Sequence, residues 1–379
     1  MRSINPEWEV RGFTDPLAAL TAVKAKAPDL ILSDQMMPQM LGSQLLDQVR
    51  VISPSTIRII MSGFVPPDKI ALITSAHQHL AKPFDTIKLR ETIRRSFAAQ
   101  ERIVDKGLQT VATSLSSIPS LSQTHQAVLQ ELEDNANGTE NIARRVAEDA
   151  GLSAKVLQLA NSPLFGQSYL IISPFDAVMC LGTKMISAVV LAQSLFRHYE
   201  SLAGEIDLRK VWNHCWQMAY CAQHLCREMH LSRITGEEAF LAGLLHESGR
   251  FILADNFPDQ FRGACQVARA TRTALAPRLR EAFRTSPAQI TAYVLELWGM
   301  PATIIAAMAL QDAPAVDESK GFTLASALYV ANGIASRQTP PDLFAPEEWN
   351  SAYLKAIGYW ERIPDWEKLS LGAKPGVSR

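Results

Sequence analysis

From Trp8 to about Arg95, short apolar runs alternate with stretches of helical periodicity. The runs Trp8 to Phe13, Leu30 to Ser33, Ile57 to Met61 and His79 to Ala81 read as brief strands, with helices at Pro16 to Lys26 and Ser43 to Arg50. This alternation predicts an open α/β sheet with helices on both faces. Past Pro83 the pattern changes to a connecting helix from Thr86 to about Thr110, then helix upon helix. Ile118-Pro119-Ser120-Leu121 punctuates the change, because a proline keeps the preceding residue out of the helical region. The apolar runs Val189 to Ala192 and Ala239 to Leu245 are candidate core, Gln338 to Asp342 interrupts the late helical pattern, and Lys374 to Arg379 reads as a disordered end.

Length and composition permit two or three domains: 379 residues, 47% hydrophobic and 20% charged. Lys plus Arg (37) and Asp plus Glu (38) nearly cancel, so no global field recruits nucleic acid or an anionic membrane. No stretch approaches the roughly 18 apolar residues of a membrane span, and the first residues lack the apolar core of a signal peptide, so a cytoplasmic protein without membrane contact is expected. Cys180, Cys215, Cys221, Cys226 and Cys265 form no CxxC pair and read as reduced thiols. Cys215 and Cys226 share a helix face about three turns apart, too far to chelate one ion.

Asp34 ends the run Leu30-Ile31-Leu32-Ser33, Ser62 ends Ile57 to Met61, and Lys82-Pro83 follows His79 to Ala81. Three strands thus deliver an acid, a hydroxyl and an ammonium to the carboxyl edge of one sheet, where α/β folds build their sites. A carboxylate can accept a phosphoryl group whose oxygens the other two then bind. Taken singly, each has a blander reading: a cap, a turn serine, a solvated lysine. Together, over about Glu7 to Arg95, they make the segment resemble the response-regulator receiver domain, a flavodoxin-like α/β fold. The resemblance implies Asp34 as phosphoacceptor, Ser62 and Lys82 as the switch and phosphoryl-binding groups, a cis Lys82–Pro83 peptide, and a sensor histidine kinase as partner. The aromatic switch position falls on His79, a departure from the family.

Receivers open with a strand ending in an acidic pair that holds Mg²⁺, and this sequence begins after the place where that strand would stand. In the order 2-1-3-4-5 the missing strand is interior, which predicts a gap of about 10 Å between its neighbours. Two explanations stand: a start assigned too late, the better fit to the surviving site residues, or a degenerate scaffold. As the sequence is written, phosphorylation should be poor, and Mg²⁺ is expected only if the acidic pair lies upstream.

The helical part carries Ile118-Pro119-Ser120-Leu121, Gly151-Leu152-Ser153-Ala154-Lys155-Val156-Leu157 through Ser162, Phe165-Gly166, Ile172 to Gly182, Trp212-Asn213-His214, His246-Glu247-Ser248-Gly249-Arg250 and Trp298-Gly299-Met300-Pro301. On these it is similar to HDOD, the all-α HD-related output domain. The resemblance divides the chain into a receiver at 1–96, a linker helix at 97–112, HDOD at 113–312 and a helical extension with a tail at 313–379. The parent HD superfamily holds metals through histidines and an adjacent His-Asp pair for phosphoester hydrolysis. Here the pair reads His246-Glu247, the family's downstream histidine falls on Pro287, and its paired histidines fall on Gln311 and Asp312. With His214 the remnant is short of a hydrolytic set, so His214, His246 and Glu247 read as vestigial, with no metal, no cofactor and no catalysis in this domain. A non-catalytic adapter binding a downstream signalling protein is the expected output, with homodimerisation left open.

Two rivals remain. One is an HD-type metal-dependent phosphohydrolase of cyclic dinucleotides or nucleotides. The other is a DNA-binding helix-turn-helix at Ile142 to Ser162, whose second helix offers one cation, Lys155, where groove readers use several.

Overall fold

Asp15 accepts a hydrogen bond from the Leu17 amide at 3.0 Å and Pro16 supplies a preset first-turn φ, and together they start α1 (Pro16–Ala25). The computed structural model describes residues 8–63, 76–101, 106–115, 138–148, 150–161, 171–183, 185–186, 188–190, 192, 199, 207–298, 300–312, 314, 321–338, 346 and 348–368. Two compact units emerge, one of Met1–Ser120 with Phe283–Thr285 and Tyr293–Met300, the other of the remaining chain.

In the first unit, β1 (Leu30–Asp34), β2 (Ile57–Ser62) and β3 (Gln78–Ala81) form a parallel sheet in that order. The near-continuous burial of β2 is that of a strand covered on both faces. Leu20 and Val23 of α1 pack with Leu45 and Val49 of α2 (Gly42–Ile52) and with Ile31. Leu89 and Ile93 of α3 (Thr86–Glu101) pack with Ile57, Ile59 and Leu80, against Leu30 and Leu32. The alternation of Ile31 with Leu30 and Leu32 is the strand period of two at work. Trp8 to Phe13, expected as a strand, is irregular. Strand propensity at such β-type residues depends on the surrounding sheet more than on the backbone itself. Trp8 still packs against the Ile57 cluster. Helix α4 (Lys106–Ser114) follows.

The described ordered elements of the second unit are helices, two of which, α12 and α13, have their ends at Phe283 and Tyr293–Leu297 in the first unit: α5 (Gly138–Glu148), α6 (Ala150–Ala160), α7 (Pro174–Leu181), α8 (Leu208–Glu228), α9 (Arg233–Leu245), α10 (Ser248–Asn256), α11 (Pro258–Thr271), α12 (Leu275–Phe283), α13 (Pro287–Leu297), α14 (Ala302–Ala309), α15 (Leu324–Gln338), α16 (Ser351–Ala356) and α17 (Ile363–Trp366). The helix-turn-helix candidate falls on α5 and α6, where Ile142, Val146, Leu152, Val156 and Leu159 are buried. Cys215, Cys221 and Cys226 are buried on α8, and burial pushes the Cys226 thiol up to about 12. Ala239, Phe240, Leu244 and Leu245 are core, as their apolar run predicts. Ile118-Pro119-Ser120-Leu121, Phe165-Gly166, Gly299, the break at 339–345 and the tail from Lys374 lie outside the described residues. No helix among the described residues is long and apolar enough to cross a membrane.

Candidate functional site

The sheet register pairs Asp34 with Met61 and Ser62 with Ala81, so Asp34, Ser62 and Lys82 meet at the carboxyl edge. Lys82 Nζ lies 2.5 Å from Asp34 Oδ2, and the Lys82 amide donates to the Ser62 carbonyl at 2.7 Å. The hydrogen bond from Lys82 holds the Asp34 carboxyl below its usual range against a partial desolvation that would raise it. Ser62 is buried, and the Lys82–Pro83 peptide is cis. The side chain of His79 lies outside the described residues.

Gly42 begins α2 directly under this edge: a Cβ there would lie 2.0 Å from the Asp34 carbonyl oxygen. Only a residue without that atom lets the backbone pass. Gly42→Ala is expected to cost the first unit about 1–3 kcal/mol and to displace Asp34. Urea unfolding together with the Asp34–Lys82 contact in a crystal of the variant checks this, and an unmoved Asp34 at wild-type stability would refute it.

In the helical unit a second glycine sets the geometry. A Cβ on Gly243 would lie 2.4 Å from the Ala219 Cα, so α9 crosses α8 with backbones nearly touching. That approach brings His246, just past α9, to His214 of α8, with ring centroids 5.1 Å apart. The α9–α10 turn is clamped from α13: Thr291 Oγ1 accepts from the Gly249 amide at 2.8 Å and lies 3.1 Å from the His246 carbonyl.

Ligand atoms of His214, His246 and Glu247 lie within 4.8 Å of one another, and all three residues are buried. His246 Nδ1 sits 2.7 Å from the Gly243 carbonyl, where it can only donate, which leaves Nε2 facing Glu247 Oε1 at 3.2 Å. On the other side of the carboxylate, Arg250 Nε is 2.9 Å from Glu247 Oε2. Burial alone would push the Glu247 carboxyl up. The charge of Arg250, with the contact to His246, brings it down instead to about 2. His214, hydrogen-bonded to Asn332, moves down to about 3 because burial and the neighbouring His246 disfavour its charged form. The remnant is thus a closed set of two imidazoles, one carboxylate and one guanidinium.

A cavity of about 200 Å³ lies beside this set, lined in part by Glu247, Arg250, Gln311, Asp312, Asn332 and Trp349. The positions read from the sequence as former ligands, Gln311 and Asp312, therefore stand with His214 and Glu247, whereas Pro287 is a backbone neighbour of Gly249. Burial raises the Asp312 carboxyl above its usual range, opposed in part by Arg280 at 4.0 Å. Sequence reading missed Arg250 and Asn332. The three-residue spacing from Glu247 was the available signal for Arg250, but it is indistinguishable from a surface ion pair until burial is known.

A model of the HDOD domain matches residues 118–314, and one of the response regulator receiver domain matches residues 3–94. The chain is 35% identical over 81 residues to sporulation initiation phosphotransferase F of Bacillus subtilis, covering 21% of this chain and 65% of that protein. It is 28% identical over 172 residues to the cyclic di-GMP phosphodiesterase response regulator RpfG of Xanthomonas campestris, covering 42% and 45%. Among solved structures, an HDOD domain protein from Geobacter sulfurreducens superposes with a TM-score of 0.52 at 18% identity, over 76% of this chain and 92% of that one. The match spans less than half the length of the RpfG relative and less than two thirds of the phosphotransferase.

Proposed function

Because the chain belongs to the HDOD family, with a response regulator receiver domain ahead of that module, we propose that its helical unit is a non-catalytic adapter controlled by phosphorylation of Asp34. The observation that carries this reading is Arg250 against Glu247. A hydrolytic HD centre needs its carboxylates free to bind cations, and here a fixed guanidinium already neutralises Glu247, the carboxylate of the His-Glu pair. Placing a dication beside it would add like-charge repulsion to the loss of three former histidine positions, now Pro287, Gln311 and Asp312. The residues therefore do not fit a dinuclear metal centre.

The receiver supplies the input. In this reading a sensor kinase or phosphotransfer protein donates to Asp34, whose ionised carboxylate is the nucleophile, while Lys82, in contact with it, and Ser62, at the end of the neighbouring strand, would bind the new phosphoryl oxygens. Incubation with a small phosphodonor and Mg²⁺ is expected to label Asp34 poorly in this chain and efficiently once an upstream acidic pair is supplied. Loss of all label in Asp34→Asn supports the assignment, and retained label in that variant would refute it.

For the output, elemental analysis of the purified full chain is expected to find transition metal well below one ion per chain, and added Mn²⁺ should leave its Tm unchanged. Stoichiometric metal with phosphodiester turnover lost in His246→Ala would instead establish the second reading, a metal-dependent phosphohydrolase. That reading is favoured by the proximity of His214, His246 and Glu247 and by the likeness to RpfG.

A further inference from the structure

The cavity beside the His-Glu-Arg set is larger than a packing defect and carries an unmet polar demand. Gln311 is 3% exposed, lines the cavity, and its Oε1 has no hydrogen-bond partner among the described residues. A buried amide oxygen left in this state costs on the order of 1–3 kcal/mol, which a donor entering the cavity would recover. At about 200 Å³ the space exceeds the roughly 150 Å³ that accommodates benzene in an apolar protein cavity, and it is polar.

Its electrostatics select the guest. Three carboxylates line the wall, Glu247, Asp312 and Glu348, against the lining cation Arg250 and, 4.0 Å from Asp312, Arg280, so the negative groups still outnumber the positive by one. Arg250 is committed to Glu247. The aromatic Trp349 is not available as a stacking surface, because Arg337 covers it at 4.2 Å and the Gly333 backbone packs against its ring. In an HD hydrolase, metal ions would make such a cavity attractive to a phosphoester. Without them the remaining carboxylates repel one, and the preference is inverted.

We propose that this cavity is a binding site for a compact organic cation bearing N–H donors, a primary amine or a guanidine, with Gln311 Oε1 accepting one N–H and the carboxylates of Asp312 and Glu348 compensating the charge. This site goes beyond the adapter reading and does not depend on whether Asp34 is phosphorylated. It would let the helical unit sense a small metabolite at the place where its ancestor held metal.

Isothermal titration of the full chain with methylguanidinium chloride and with putrescine, and separately with sodium phosphate and AMP, tests it. The expected result is saturable binding of one cation per chain, with no binding of phosphate or AMP. Gln311→Leu should weaken the cation about tenfold or more, because a hydrogen bond to a charged group is lost. Glu348 is exposed, so Glu348→Gln keeps the fold intact and should weaken binding about threefold even if the Gln311 variant is unstable. Three results would overturn the site: absence of cation binding, cation binding unchanged in the variants that fold, or phosphate or AMP binding that Glu348→Gln strengthens or leaves intact.

Discussion

Replacing Arg250 by Met is expected to lower the stability of the helical unit by about 3–5 kcal/mol, the range for stripping one partner from a buried ion pair. Arg250 and Glu247 are 7% and 5% exposed, so water cannot replace the lost countercharge. The aliphatic stem of Met preserves much of the packing, which leaves the bare carboxylate as the main source of the effect. In the double variant Glu247→Gln, Arg250→Met much of the loss should return, because both charges are then gone. Urea unfolding followed by far-UV circular dichroism reads both variants. A single-variant loss below about 1 kcal/mol, or a double variant no better than the single, would show that the guanidinium is not what neutralises Glu247.

Acid should unfold the helical unit earlier than a protein with solvated histidines, and His214 sets the window. Its folded-state pKa, about 3, lies below its ordinary value of 6.5, so below pH 6.5 the unfolded chain binds a proton that the native state refuses. The stability present above pH 6.5 is lost progressively as pH falls toward 3, at a limiting slope of about 1.4 kcal/mol per unit. Glu247 works in a lower range. Its folded carboxyl, lowered to about 2, contributes stability above its ordinary 4.5, which disappears as pH falls from there through 2. Between pH 6.5 and 5 the decline is therefore assigned to His214 in this cluster, about 2 kcal/mol in all. Urea midpoints at pH 7 and pH 5 for wild type and His214→Gln measure it. Equal midpoint shifts in the two proteins would dismiss the assignment.

Much of the receiver unit is legible in the sequence because its signals are local. Leu30 to Asp34, Ile57 to Ser62 and Gln78 to Ala81 are strands whose ends carry Asp34, Ser62 and the residue before Lys82, and each can be read from a handful of neighbours. Trp8 to Phe13 fails for the opposite reason: strand propensity there is a statement about a partner, and no local pattern supplies one. The helical site divides the same way. His214, His246 and Glu247 are recognisable from motif spacing. That Gln311 and Asp312 line one wall with His214, Asn332 and Trp349 depends on helix α15 meeting both α14 and α8, the latter a contact between residues about a hundred positions apart. Gly243 is the residue that allows the α8–α9 crossing, yet in the sequence it is one small residue within an apolar run.

The Asp34–Lys82 contact bears on timing in the cell. A carboxyl held low by a neighbouring ammonium keeps its charge at neutral pH, so under the proposed phosphorylation the acceptor oxygen would be ready whenever a donor arrives. Readiness has a countervailing effect, since the same ammonium must swing from the bare carboxylate to the incoming group before that group can settle. If Asp34 is the acceptor, arrival of the modification and release of an existing bond would be a single event, and the lifetime of the signal would be tied to how willingly one lysine exchanges partners.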